Sequence, residues 1–423
     1  MNARAFGTVL VMLAAAACAE PEAPATDTTW VGTITTEGNV TIVVNESGSV
    51  WGGTATLVEE ASIGVESGAD EYMLGAVAGV AATSDKIFVI DRQLPALRAY
   101  DHRGTHLYDI GAHGQGPGEF QAPSSVAVAS DGRVFLRDED SLRILIYDGK
   151  GEYLGAYEMT GGLHTARPMT VSSDGDVPYS EVLVGRDDPS VFVTGMQGHG
   201  ENGPEGDPIM PAIDPTFVPR VVSAANRGSS MTYLVPFSPD LEWALTPALD
   251  VIFGVSDTYR FEVRHADGSL SVIQRTSEPV PVDSAEADWN KRRVTARMRS
   301  MLPGWVWGDA PAVPSNKPAY DEFIPTRSGT IWVLRAGAGI RLPQCDDQAE
   351  TPEEFAAFPC WRDQPTVDVF GSDGRFLGSI ETPAEMHFSP RPYIDGDMVI
   401  ARAEDEAGTI MVKRYRLVLP GER

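Results

Sequence analysis

Short runs of alternating hydrophobic and polar positions fill most of the chain, and two of them are copies of each other. Val80-Ala-Ala-Thr-Ser-Asp-Lys-Ile-Phe-Val-Ile-Asp91 leads into Leu-Arg-Ala-Tyr100-Asp101 and a glycine turn at Gly104. Val126-Ala-Val-Ala-Ser-Asp-Gly-Arg-Val-Phe-Leu-Arg-Asp138 leads into Ile-Tyr147-Asp148 and a turn at Gly151. Phe88, Asp91, Tyr100 and Gly104 recur as Phe135, Asp138, Tyr147 and Gly151, each displaced by 47 positions. Alternation with period two predicts strands, and the Asp-Gly type turns between them predict tight hairpins in which glycine supplies the positive φ. A repeat of this length is one four-stranded sheet of a propeller. One such blade cannot bury both of its faces, so it must stack against others around a ring.

Weaker copies follow. Val171 to Tyr179 opens a third unit; Ala248 to Gly254 with Tyr259 to Gly268 forms a fourth. Ser328 to Leu334 with Thr366 to Gly378 forms a fifth, and Pro392 to Leu417 a sixth. The count gives an all-β, six-bladed β-propeller over residues 30–423. Val40 to Val44 and Ala61 to Val65 precede the first unit and are expected to pair with the C-terminal strands, closing the ring and removing its open edges. One segment breaks the pattern: Asp283 to Met301 reads as a helical insertion over about 283–302, with Asp283 as N-cap, acids first and bases later. Trp289, Val294 and Met298 are spaced to face the propeller, leaving the bases on a solvated face.

Composition agrees with this reading. The chain has 42 glycines and 31 prolines, suited to many short strands and turns. Its formal charge of −27, from 33 basic and 60 acidic residues, repels nucleic-acid backbones and anionic membrane surfaces. Acidity keeps an exported protein soluble; the alternative use is to collect cations.

Residues 1–17 run from Met1 and Arg4 through an apolar stretch to Ala17, a signal peptide too short to stay as a membrane span. Ala15, Ala16 and Ala17 before Cys18 resemble a lipobox, so Cys18 is expected to be lipidated. A leucine is usual where Ala15 stands, and plain cleavage at Ala17-Cys18-Ala19 is the alternative. Residues 18–29 then form a flexible tether. The protein is therefore expected to be exported and anchored to the envelope through Cys18 alone, periplasmic or at the cell surface. With Cys18 acylated, Cys345 and Cys360 remain as a disulfide pair in an oxidising compartment.

The run Ile110-Gly-Ala-His-Gly-Gln-Gly-Pro-Gly-Glu-Phe-Gln-Ala-Pro123, followed by Val126-Ala-Val, resembles the NHL signature of six-bladed propellers, in a form found in bacterial lipoproteins of unassigned role. The resemblance is specific across residues 75–157 and loose elsewhere. It implies six blades and binding on one face, without implying one reaction.

Candidate chemistry is sparse. His113, Gln115 and Glu119 sit in the glycine-rich loop whose free amides could hold an anion, although the loop lacks the lysine and helix of a phosphate-binding loop. The structural alternative is a connection between blades, with Phe120 plugging the sheets and Pro123 starting the next inner strand. Trp305 and Trp307 are candidates for a glycan or peptide surface, or for burial under the insertion. A lactonase-like divalent-cation site would need glutamate and asparagines on inner strands, and Asn202, Asn226, Asn290 and Asn316 do not occupy such positions. The expectation is a binding or scaffold propeller that recognises a protein, peptide or glycan, without nucleic acid and without a resident cofactor. The alternative is a metal-dependent hydrolase or lyase using a divalent cation in the central channel.

Overall fold

The computed structural model describes residues 30–93, 96–159, 167–185, 192–212, 217–343, 345, 348–357 and 359–422. The signal peptide, Cys18 and the tether lie outside them. The described strands build six antiparallel four-stranded blades, and blades 5 and 6 join into one continuous sheet where Ala55 and Thr56 pair in parallel with Ile380 and Glu381. Blade 1 is Val77–Ala82, Lys86–Asp91, Ala96–Asp101 and His106–Ile110; blade 2 is Pro123–Val128, Val134–Asp138, Arg143–Tyr147 and Tyr153–Glu158. Blade 3 is Thr170–Val171, Pro178–Gly185, Phe192–Gly200 and Gly203–Ile209; blade 4 is Leu241–Leu245, Val251–Val255, Arg260–Arg264 and Leu270–Arg275. Blade 5 is Glu322–Pro325, Ile331–Arg335, Thr366–Phe370 and Phe376–Glu381, and blade 6 is Tyr393–Asp395, Met398–Glu404, Ile410–Val418 and, outermost, Ala55–Ile63.

The landmarks of the repeat lock each blade to the connection that precedes it. Asp91 is buried and accepts the backbone N–H groups of Gly75 and Ala76 at 3.1 and 3.0 Å; its copy Asp138 accepts those of Gln121 and Ala122 at 3.2 and 2.7 Å. The hydroxyl of Tyr100 donates to Glu71 O, and that of Tyr147 to Gly118 O. Buried polar groups must be partnered, so these side chains recur because the incoming loop needs the same donors and acceptors each time. Gly104 and Gly151 take φ values of 85° and 89° in the following turns, where a side chain would be strained.

Ring closure differs from the sequence expectation in one respect. Ala55–Ile63 pairs antiparallel with the C-terminal Ile410–Val418, as expected. The hairpin of Val31–Glu37 and Val40–Ser47 does not: Val40–Ser47 instead runs parallel to Leu270–Arg275 on the outer edge of blade 4. Between the two, Val50 and Trp51 donate backbone hydrogen bonds to Phe376 and Leu377 of blade 5. Residues 31–63 thus form a strap across the outer edges of three consecutive blades. The outer strand of blade 4 is as open an edge as that of blade 6, and alternation within Val40–Val44 cannot tell the two apart.

Cores lie between blades. Phe261, Phe323 and Phe370 are fully buried between blades 4 and 5, with the Phe261 and Phe323 ring centroids 5.0 Å apart. Burying each such side chain contributes about 1.5–3 kcal/mol. The inner strands enclose a narrow channel of about 120 Å³ lined by apolar side chains such as Val80, Val126, Val171, Leu245, Ile324 and Ile394 together with Arg327 and Arg391.

Candidate functional site

Inner strands all begin at one face of the ring, here called the upper face, and the connections between blades lie on it. Three insertions rise from it. The first is a hairpin, Val221–Asn226 with Ser229–Leu234, between blades 3 and 4. The second carries helix α1, Ser284–Met301, between blades 4 and 5. The third lies within blade 5, between its second and third strands, and holds the short helix α2, Pro352–Ala357, and the Cys345–Cys360 disulfide.

Helix α1 forms where the sequence places it. Asp283 caps it, accepting the N–H groups of Ala285 and Glu286. Val294 and Met298 pack on Val222, Ala224 and Val235 of the hairpin side, whereas Trp289 and Ala296 pack on Phe355 and the disulfide on the other. The helix is thus clamped between two other insertions rather than laid on the blades. Arg293 and Arg297 are exposed, as expected of a solvated face, but they also line a cavity of about 550 Å³ between α1, the hairpin and α2, which the sequence reading did not foresee. Sequence periodicity shows one amphipathic face and cannot show that two distant segments wrap the other.

Tyr233, Trp289, Phe355 and Trp361 supply the aromatic part of the wall. Trp289 and Phe355 meet edge to face at 5.5 Å, the Arg293 guanidinium lies 5.8 Å from the Trp289 ring centroid, and Arg297 Nε donates to the Tyr233 hydroxyl at 3.0 Å. Glu286 is buried in the same wall. Lys317, with no exposed side-chain surface, donates from Nζ to Glu286 Oε1 at 2.7 Å and also to Asp363 Oδ1. Burial raises the pKa of Glu286 above its ordinary value while the Lys317 contact lowers it, and desolvation lowers that of Arg293. Glu286 Oε2, Trp289 Nε1 and Trp361 Nε1 are buried without hydrogen-bond partners.

The residues singled out in the sequence are not brought together. His113, Gln115 and Glu119 lie in the connection between blades 1 and 2, across the ring from the insertion between blades 4 and 5. His113 and Gln115 are exposed, and Glu119 Oε2 accepts the loop's own Gly116 N–H at 2.8 Å. Phe120 is fully buried between the blades, and Pro123 starts the inner strand. Trp305 and Trp307 meet edge to face at 5.8 Å and brace the hairpin, the Trp305 indole donating to Ser223 O at 3.0 Å. Arg293, Arg297, Tyr233, Phe355, Trp361 and Glu286 were missed. A signal existed for the arginines: neither has an acid three or four residues before it on α1, where helical ion pairs form.

Two other polar constellations are engaged within the ring. Around the upper mouth of the channel Arg391 pairs with Glu322 at 2.6 Å and Arg167 with Glu181 at 3.0 Å. Nearby Glu242 is pushed up to about 8, chiefly by burial, with Asp240 and Asp321 adding to it. On the opposite face, Ser271 Oγ lies 2.9 Å from His265 Nε2, and His265 Nδ1 lies 3.0 Å from Asp250 Oδ2. This has the order of a nucleophile triad. However, Asp250 Oδ1 also accepts Ala266 N–H at 2.9 Å, tying the hairpin turn. Ser271 is the second residue of its strand, laddered to Val263 on one side and to Thr41 on the other, so the amides beside it are spent in the sheet rather than free for an oxyanion. Among the described residues no group of three or more His, Cys, Asp or Glu is placed to hold a metal ion.

The family DUF5128, described as a 6-bladed beta-propeller, matches residues 67–162. No curated protein matches the chain. Among solved structures, a member of the DUF4221 family from Bacteroides vulgatus superposes over 86% of this chain and 99% of its own, at 10% identity and a TM-score of 0.52. A gluconolactonase from Xanthomonas campestris covers 87% of this chain and 98% of its own at 12% identity with a TM-score of 0.38. The virginiamycin B lyase of Staphylococcus aureus covers 87% and 95% at 10% identity with a TM-score of 0.35. At 10% identity the likeness to the DUF4221 structure speaks to fold alone; with the family match and the six blades observed, the chain is a six-bladed β-propeller carrying a helical cap on its upper face.

Proposed function

We propose that this chain is an extracytoplasmic binding propeller of the NHL type, held to the envelope through Cys18, whose ligand occupies the cavity between α1, the hairpin and α2. The observation that carries the reading is the convergence of three chain-distant insertions on one face. The ring closes without any of them, and together they build an aromatic-walled cavity of about 550 Å³, within the roughly 300–1,000 Å³ range of small-ligand sites. The hydrolase or lyase alternative would place its chemistry in the central channel, where Arg391 and Arg167 are already paired with Glu322 and Glu181 and Arg327 donates to Val128 O.

The test is binding of the purified chain to glycan and peptide arrays, with Trp361→Ala and Tyr233→Ala as controls. Ligand capture that both substitutions reduce at least tenfold supports the reading. Capture unchanged by either variant places binding elsewhere and overturns it.

A further inference from the structure

We infer that the cavity takes an anionic sugar, a short oligosaccharide bearing uronic-acid carboxylates; this rests on the cavity being the ligand site. Three features of the wall carry it. Arg293 and Arg297 are exposed, stand one helical turn apart and line the cavity. Among the described residues neither forms an ion pair; Arg293 donates to the Asn290 amide oxygen at 3.3 Å and Arg297 to the Tyr233 hydroxyl. The two carboxylates of the wall, Glu286 and Asp363, are held by Lys317, which leaves the two arginines to take one from outside. Guanidinium groups suit carboxylates because their forked donors match both oxygens.

The aromatic wall sets the second requirement. Tyr233, Trp289, Phe355 and Trp361 offer flat apolar surface, which suits the C–H face of a pyranose ring. The third comes from Glu286 Oε2, an acceptor, and the indole N–H groups of Trp289 and Trp361, donors, all lying in the wall without partners. Unpartnered buried polar atoms are costly, and small side-chain shifts on binding would give them partners. Hydroxyl groups answer both needs, since each donates and accepts. An acidic peptide also pairs with arginine clusters, but its side-chain carboxylates only accept hydrogen bonds and offer nothing to the buried acceptor Glu286 Oε2. Most of this wall comes from α1 and α2.

Isothermal titration of the purified full-length chain with three probes decides the matter: tri-galacturonic acid, the neutral galactotriose and hexa-glutamate. Tri-galacturonic acid is expected to bind at least tenfold more tightly than galactotriose, and that advantage should shrink as salt rises. The variant Arg293→Gln/Arg297→Gln should lose the advantage while keeping the wild-type circular dichroism spectrum. Equal affinity for the neutral and acidic sugars overturns the inference but leaves the cavity as a glycan site. Preference for hexa-glutamate also overturns it, in favour of a peptide site. Binding of none of the three overturns it as well, and whether the cavity is a ligand site is then decided by the arrays and by Trp361→Ala. If a misfolded double variant clouds that comparison, the salt dependence of the wild-type titration still decides.

Discussion

The side-chain oxygen of Asn45 accepts the backbone N–H of Phe376 at 2.7 Å, across 331 residues of sequence. The same oxygen accepts Trp30 Nε1 at 2.7 Å, and the amide nitrogen donates to Gln274 O and Gly374 O at 3.0 and 3.2 Å. A single buried amide therefore ties the strap to blades 4 and 5 at once, with all four of its hydrogen-bonding positions used. Replacing Asn45 with Ala leaves these backbone groups without partners, and is expected to destabilise the fold by about 2–4 kcal/mol. Urea unfolding followed by tryptophan fluorescence measures this; a loss below half a kcal/mol would show that the amide is dispensable.

Asp138 and Tyr147 make the same kind of tie within blade 2, but they differ in what they hold. Asp138 accepts two backbone amides and the Ser141 hydroxyl, whereas Tyr147 serves one carbonyl. Asp138→Ala is expected to cost about 2–4 kcal/mol and Tyr147→Phe about 1 kcal/mol. The ordering of the two in the same unfolding assay is the prediction.

Glu242 is expected to contribute more to stability in mild acid than at neutral pH. Its pKa is raised from an ordinary 4.5 to about 8, first by burial and then by Asp240 and Asp321. Below about 4.5 the group is protonated in both states and contributes nothing. Between there and about 8 the unfolded chain releases a proton that the folded chain keeps, so stability falls as pH rises through that window. Glu242→Gln cannot ionise, and its melting temperature should gain on the wild type from pH 5 to pH 8. A constant difference across that range would refute the shifted pKa.

Cys345 and Cys360 are joined in the third insertion, where Cys360 packs with Trp289 and Phe355. A cross-link closing a loop of about 15 residues contributes up to about 3 kcal/mol in the chain-entropy account. The Cys345→Ser/Cys360→Ser variant is expected to speed hydrogen exchange in α2 and the segments flanking it, with the blade strands unchanged. Faster exchange throughout the blades would mean that the cap supports the ring.

Ser271 is expected to stay unlabelled by a fluorophosphonate probe at neutral pH, because its hydrogen-bonded histidine lacks the accompanying oxyanion donors. Intact mass of the treated protein reads the outcome directly. An adduct that disappears in Ser271→Ala would establish a reactive nucleophile on the lower face.

Much of the ring was legible because its determinants are local. Asp91 and Asp138, Tyr100 and Tyr147, and Gly104 and Gly151 serve connections and turns close by in sequence, so the same need writes the same residues 47 positions apart. Asp283 announced its helix for the same reason. The cavity was not legible, because Tyr233, Arg293 and Trp361 belong to three insertions that meet only after the blades have placed their bases side by side. The partner of Val40–Ser47 was equally hidden: alternation says that a strand has a buried face, not which of several open edges it will join.

The strap also acts as a proof of completeness. Blade 6 takes its outermost strand from residues 55–63 and its neighbour from residues 410–418, so a strand made early waits for one made much later. A chain stopped short of its final strand would leave Ala55–Ile63 unpaired on that side and blade 6 unfinished, with raw edges exposed at the seam. Such a product is an obvious substrate for proteases, whereas the finished ring hides both edges. In this architecture a truncated copy cannot pass for a whole one.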